Sequence, residues 1–415
     1  MIKLNFDVKK HFLDNGLKVI TIKKDSQMCA INVGVNVGAL NENIDEKGIS
    51  HFIEHMLFKG TKKRNNDAIN DDLEFLGGEY NAYTDYDSTV YTIACLLEEL
   101  ENAVEIIGDI IVNSNFPEEE LEKERGVILS EIRISKDDIE DYSFKKVNEA
   151  AFEGGLKYDV TGTEEVVKKL TRNEIYSYYK KYYMPNNALV TIVSPLEHEE
   201  SLKIVNKYFN MWEKSNIEEE TYICEKNKHI METTYKDEIE QSTITYLYTF
   251  ADLTKEEELP LRILNHRLGE SSNSLLFREI REKRGLAYDV STQLDITRKL
   301  KNFSIYTAVA DENVEEALEA INDTIEGVKS GNLPFCDKDL IIMKKVHKTA
   351  VINTLEDSAE LCNYILHQEL DEDDIFEFVK DMDRLNELNA EDIRKVAQKV
   401  LINPTIHILR GSKND

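Results

Sequence analysis

The chain repeats itself once. Val90-Tyr91-Thr92, an alternating strand pattern, leads through a helical stretch, Leu97 to Ser114, into Asn115-Phe116-Pro117. Ile305-Tyr306-Thr307, 215 residues further on, leads through the helical Val314 to Lys329 into Leu333-Pro334-Phe335, its proline 217 residues beyond the first. Near the end of each half, Tyr183-Met184-Pro185-Asn186 enters the strand Ala188 to Val193, and Ile402-Asn403-Pro404 enters Thr405 to Leu409, with the prolines 219 apart. Three anchors at nearly equal offsets predict a duplicated domain of roughly 200 residues. Such a duplication also explains how 415 residues, too many for one compact domain, are divided.

Each half mixes period-2 strands (Lys18 to Ile22, Ala30 to Val37, Val90 to Cys95, Thr243 to Tyr248) with long 3.6-period helices. The expected class is α+β, two homologous domains, each a mainly antiparallel sheet with helices packed on one face. The expected division is 1–212, a charged linker at 213–230, and 231–415. No glycine-rich phosphate loop follows a strand, and the Gly77-Gly78 pair lacks that context. The formal charge of −29 excludes a whole-chain nucleic-acid footprint, and Lys59 to Arg64 is broken by Gly60 and Thr61. No apolar run approaches the ~20 residues of a membrane span, and the N-terminus shows no apolar signal region. Five widely spaced cysteines without a CxxC pair read as reduced thiols of a cytoplasmic protein.

One string carries chemistry. In His51-Phe52-Ile53-Glu54-His55 the two histidines are four residues apart, so on a helix both imidazoles leave one face and can grip one ion. Glu54, three residues from His51, is placed to take a proton from a metal-activated water. This is the inverted H-x-x-E-H pattern; two ordinary histidines on an amphipathic helix would read the same. A third ligand is to be sought downstream. Pro117 and three glutamates start a helix whose apolar stripe carries Glu124 and Glu131, two turns apart. Carboxylates on a buried face need a partner, either an ion pair or a metal.

His51 to Thr61 closely resembles the signature of the pitrilysin-type (M16) metallopeptidases, the clan of insulinase and the mitochondrial processing peptidase. The resemblance spans essentially the whole chain. Glu124-Arg125-Gly126-Val127-Ile128-Leu129-Ser130-Glu131-Ile132 matches that family's downstream helix, which implies Glu131 as third zinc ligand beside His51 and His55, and Glu124 as a supporting carboxylate. Gly77-Gly78-Glu79-Tyr80-Asn81-Ala82-Tyr83-Thr84 resembles the family's edge-strand motif, implying that Asn81 and Ala82 align an extended peptide by strand addition. Leu276 to Tyr288 resembles its Arg/Tyr element, pointing to Arg281 and Tyr288, with Arg284 as a competitor, as groups on the substrate or its oxyanion.

The resemblance implies a zinc endopeptidase with one Zn2+ per chain, Glu54 as general base, acting on unfolded peptides or oligopeptides within a closed chamber. It also implies a dimer, a homodimer since one chain carries both elements, though a related partner subunit would serve. The alternatives are a peptidase dedicated to one precursor or leader peptide, and a non-catalytic scaffold subunit. The second half looks metal-free: Leu261 to Leu268 keeps a single histidine, and Glu131 shifted by 217 falls on Lys348. His266, His347 and His367 read as structural or surface residues. After Val193 the family often has Gly-Asp where this chain has Ser194-Pro195, a departure confined to a local turn.

Overall fold

The computed structural model describes residues 4–215, 224–333 and 335–411, so the centre of the expected linker, 216–223, and Pro334 lie outside the described residues. The first sheet comprises β1 (Phe6–Phe12), β2 (Lys18–Lys24), β3 (Met28–Val35), β4 (Glu79–Thr84), β5 (Thr89–Leu96) and β6 (Ala188–Ser194). Their spatial order is β1-β2-β6-β3-β5-β4. The second comprises β7 (Met231–Lys236), β8 (Ser242–Thr249), β9 (Ala287–Ile296), β10 (Lys301–Val309) and β11 (Thr405–Gly411), ordered β7-β11-β8-β10-β9. Without β1 the two orders coincide. Even the single parallel pair is repeated, β2 with β6 and β7 with β11, and every other pairing is antiparallel. The α+β class and the duplicated layout are therefore as the sequence predicts.

The repeat is closest in a pair of helices. A 20-residue helix, Glu118–Asp137, is followed after Asp138 by a 13-residue helix, Ile139–Ala151. Asp337–Glu356, Asp357 and Ser358–Leu370 repeat these lengths at an offset of 219. In each break the aspartate backbone is extended, and its Oδ1 accepts from two backbone amides, those of Glu140 and Asp141 or of Ala359 and Glu360. A carboxylate there satisfies open helix donors and meets the positive end of the dipole, so one residue both ends a helix and starts the next. The true offset of 219 corrects one alignment: the counterpart of Glu131 is Ala350, not Lys348, and that of Glu124 is Met343.

Strand alternation sends odd and even residues to opposite faces. Val19, Ile31, Val33, Tyr91, Ile93, Val190 and Ile192 pack under helices of their own half, against Phe52, Ile53, Ile107 and Ile128. The reverse face of the first sheet, with Ile20, Ile22, Ala30, Val90, Leu189 and Val193, is covered by Leu361, Cys362, Ile365 and Leu366 from the second half. The exchange is reciprocal. Helix Ile139–Ala151 of the first half covers the reverse of the second sheet, packing Val147 and Ala151 on Leu247 and stacking Phe144 on Tyr306 with centroids 5.7 Å apart. Gly34 of β3 allows the close approach, because a Cβ there would lie 3.0 Å from Leu370 Cδ1. Each half thus buries its sheet on both faces only by borrowing a helix from the other.

Leu366 is fully buried in this exchanged contact. Leu366→Ala is expected to cost about 2–5 kcal/mol, through lost transfer energy and a cavity, and to lower the unfolding temperature of both halves together. Differential scanning calorimetry checks this; loss of only the second half's transition would show that the exchange does not couple them.

Candidate metal centre

The helix carrying the motif, Ile49–Leu57, starts at Gly48, whose φ of 94° suits glycine and whose Cβ, if present, would meet Thr161 O at 2.6 Å. Its first turn is held from outside. Buried Glu42 accepts from the amides of Gly48 and Ser50, each at 2.9 Å. Ile49, Phe52, Ile53, Met56 and Leu57 are fully buried, so packing fixes the helix and leaves His51, Glu54 and His55 on the remaining side. The helix Glu118–Asp137 lies across it through Leu121, Ile128 and Ile132.

Three predicted ligands converge. Glu131 Oε2 is 3.8 Å from His51 Nε2 and 3.5 Å from His55 Nε2, and one ligand atom from each of the three falls within 4.8 Å of the others. Glu124, two turns earlier, sits behind His55: Oε2 accepts from His55 Nδ1 at 3.0 Å, while Oε1 pairs with Lys59 Nζ at 3.0 Å. A proton held on Nδ1 leaves the Nε2 lone pair facing Glu131, the tautomer a metal ligand requires. Glu54, between the histidines, receives a 2.6 Å hydrogen bond from Thr84 Oγ1 on β4.

The electrostatics favour a cation. Burial holds the His51 ring down to about 4, with His55 adding to the effect, so His51 is a neutral donor at physiological pH. For His55 burial opposes the charge, but the hydrogen bond to Glu124 and the charges of Glu131 and Glu54 outweigh it and raise its pKa. Burial pushes Glu54 upward against the Thr84 hydrogen bond. Glu124 is lowered: burial opposes this, and the bonds to His55 and Lys59 prevail. Two imidazoles facing one carboxylate, with two more carboxylates alongside, are a donor set that fits zinc. His51 Nδ1 is buried and has no hydrogen-bond partner among the described residues, whereas the His55 ring is held from behind by Glu124.

Asn81 and Ala82 lie on β4, which among the described residues pairs with β5 along one edge and with no strand along the other. With Tyr80, Glu54, His55, Phe58, Lys59 and Asn70 they line a cleft of about 260 Å³. A larger cavity, about 530 Å³, opens beside Glu131 between the two halves, where Asp141, Phe144, Asp159, Leu247 and Asp295 contribute. Arg281 and Tyr288 are placed together elsewhere. The guanidinium lies 4.6 Å from the centroid of Tyr288, which is 77% exposed, and 4.8 Å from that of Phe277; neither residue makes a described contact with the three converging ligands. Arg284 is engaged by Glu279 at 3.2 Å. Among the described residues of the second half no comparable group of three donors converges. His367 is packed against Tyr83, and burial lowers His347 to about 4.

Sequence reasoning assigned no role to Thr84, Lys59 or Glu42. Thr84 and Lys59 stand inside the matched strings, two residues past Ala82 and four past His55, but nothing in the spacing shows what they touch.

Fold and site together define a zinc-peptidase architecture, a two-sheet duplicated chain with the inverted motif in its first half. Residues 18–164 match the model of "Insulinase (Peptidase family M16)" and residues 169–343 that of "Peptidase M16 inactive domain". An uncharacterized zinc protease of Rickettsia bellii is 34% identical over 320 residues, 76% of each chain. An uncharacterized zinc protease of Bacillus subtilis is 27% identical over 392 residues, 94% of each chain. A protease from Helicobacter pylori superposes with a TM-score of 0.90 at 21% identity, over 98% of this chain and 100% of that one, a likeness of fold. The chain belongs to peptidase family M16.

Glu124→Ala is expected to weaken zinc binding by about 10–100-fold, as loss of an outer carboxylate does elsewhere, with Glu124→Gln less affected; chelator competition measures both. Glu42 yields a pH prediction. Burial pushes it up to about 7, against the amide bonds that favour its charge. With a folded pKa above the unfolded value, its contribution is complete below about pH 4.5 and lost as pH rises through about 7. The melting temperature of wild type relative to Glu42→Gln should therefore fall between pH 5 and 7.5; a difference flat with pH contradicts it.

Proposed function

We propose that this chain is a zinc-dependent endopeptidase that hydrolyses peptide bonds in unfolded peptides or oligopeptides. The observation carrying the reading is the convergence of His51, His55 and Glu131 with Glu54 beside them, at the end of a cleft bordered by a free strand edge. His51 and His55 would hold the zinc through Nε2 and Glu131 through a carboxylate oxygen, with Glu124 fixing the His55 ring. When bound, zinc supplies Lewis acidity, polarising the scissile carbonyl and lowering the pKa of a coordinated water toward ~7. Glu54 would take a proton from the attacking water and return it to the departing amine. Asn81 and Ala82 extend β4 by one strand of substrate backbone, an arrangement that reads main chain and so accepts varied sequences.

Arg281 and Tyr288 are assigned to the substrate or its oxyanion. They stand in the second half, so closure of one half over the other is one way to bring them in. The exchanged helices, with their buried contacts on both sheets, oppose such a hinge. A second copy presenting the pair across a shared chamber meets the same need, and because one chain carries both elements the homodimer is the preferred form, though a related partner subunit would serve. The division at 212 and 231, and a cytoplasmic setting, belong to the same reading; among the described residues no helix is long and apolar enough to cross a membrane. A dedicated precursor peptidase would use the same chemistry on one substrate. The non-catalytic alternative requires a lost ligand or base, and all four side chains are present.

The test is digestion of a diverse peptide mixture, read by mass spectrometry, beside Glu54→Gln. The variant should keep its zinc and lose about 10²–10⁴ of the rate. A chelator should abolish wild-type cleavage and added zinc restore it. Equal rates in wild type and variant contradict the assignment of Glu54, and absence of cleavage by a zinc-loaded dimer contradicts the peptidase.

A further inference from the structure

Thr84 is the last residue of β4, the strand whose earlier residues Tyr80, Asn81 and Ala82 border the cleft. Its hydroxyl donates to Glu54 Oε2 at 2.6 Å, a short hydrogen bond to a carboxylate. One oxygen of Glu54 is thereby engaged, and the other keeps its lone pairs for a water. A glutamate side chain is rotamer-rich, and holding it in place before reaction removes an orientation cost that would otherwise fall on the rate.

The strand that supplies this hydroxyl is itself fixed from its other face. Tyr83, pointing opposite to Thr84 as alternate strand residues do, donates to Asn363 Oδ1 at 2.8 Å and lies 2.7 Å from His367 Nε2. Its ring stacks on His367 with centroids 6.0 Å apart. Both partners stand on Ser358–Leu370, the helix lent by the second half. From that helix, through Tyr83 and Thr84, runs an unbroken set of contacts to Glu54.

We propose that Thr84 is a positioning residue for Glu54, so that one strand both seats the peptide and aims the base. The proposal rests on the peptidase reading given above. A structural role alone, as a β-branched strand residue, would be kept by valine, which has the same shape without the hydroxyl. The hydroxyl's role would be kept by serine.

The experiment compares Thr84→Val, Thr84→Ser and Glu54→Gln with wild type on an internally quenched peptide that wild type cleaves, with zinc content measured for each. Thr84→Val should retain its zinc, change KM by no more than about twofold and lose about 10–100-fold in kcat. Thr84→Ser should return kcat to within about threefold of wild type. A second readout needs no turnover: in zinc-free protein, Thr84→Val and Glu54→Ala should shift the melting temperature non-additively, because each removes one side of the same hydrogen bond. Wild-type kcat in Thr84→Val, failure of serine to rescue, or additive melting shifts overturns the proposal. If wild type cleaves nothing, or Glu54→Gln cleaves as fast, the peptidase reading fails instead. The melting cycle then decides by itself whether Thr84 holds Glu54.

Discussion

The crossing of helix Ile49–Leu57 by helix Glu118–Asp137 is the contact on which the rest depends. It is apolar where it bears weight, through Phe52, Ile53, Leu121, Ile128 and Ile132, all essentially inaccessible. That burial allows five ionisable groups, His51, Glu54, His55, Glu124 and Glu131, to be held together against their mutual electrostatic cost. Part of the cost is offset locally by Lys59 on Glu124 and Thr84 on Glu54. The remainder favours a cation among these groups.

Duplication produced two copies of the scaffold, and among the described residues it is the first that brings three such donors together. The second copy keeps the long helix, the aspartate break and the short helix at an offset of 219. Where the first has Glu124 and Glu131 it has Met343 and Ala350, an apolar pair that needs no ion. What the second copy contributes instead is structural. Its short helix closes the reverse face of the first sheet and, through Asn363 and His367, grips the strand beside the cleft. The first copy returns the contact with Ile139–Ala151, where Ser143 and Thr243 hydroxyls meet at 2.6 Å. The architecture is interlocked, and the reverse face of each sheet would lose its helix if the halves were separated.

Much of this was legible in the sequence, for definable reasons. Strands such as Lys18–Lys24 and Ser242–Thr249 are rich in β-branched and aromatic residues, and the repeat anchors recur at nearly equal offsets. The two histidines needed only helical periodicity. Glu131 was different: spacing offered Glu124 and Glu131 equally, and family resemblance made the choice that the Nε2 geometry supports. The helix exchange was hidden because an amphipathic pattern tells that a helix is buried and not which sheet buries it. The offset slipped from 219 to 217 because it was taken from the prolines: Pro117 precedes its long helix by one residue in the sequence and Pro334 by three, whereas the helix breaks at Asp138 and Asp357 keep the full offset. Thr84 was missed because a hydroxyl's partner is set by tertiary approach, about which local spacing says nothing.

The proposed peptidase requires a single zinc ion held between His51, His55 and Glu131. Anomalous diffraction at the zinc edge, from crystals of the zinc-loaded protein, tests it most directly. One strong peak per chain, within bonding distance of both Nε2 atoms and a Glu131 oxygen, with His55 Nδ1 still on Glu124, is the predicted result. A peak bound elsewhere, or none at this position in protein carrying stoichiometric zinc, would contradict it.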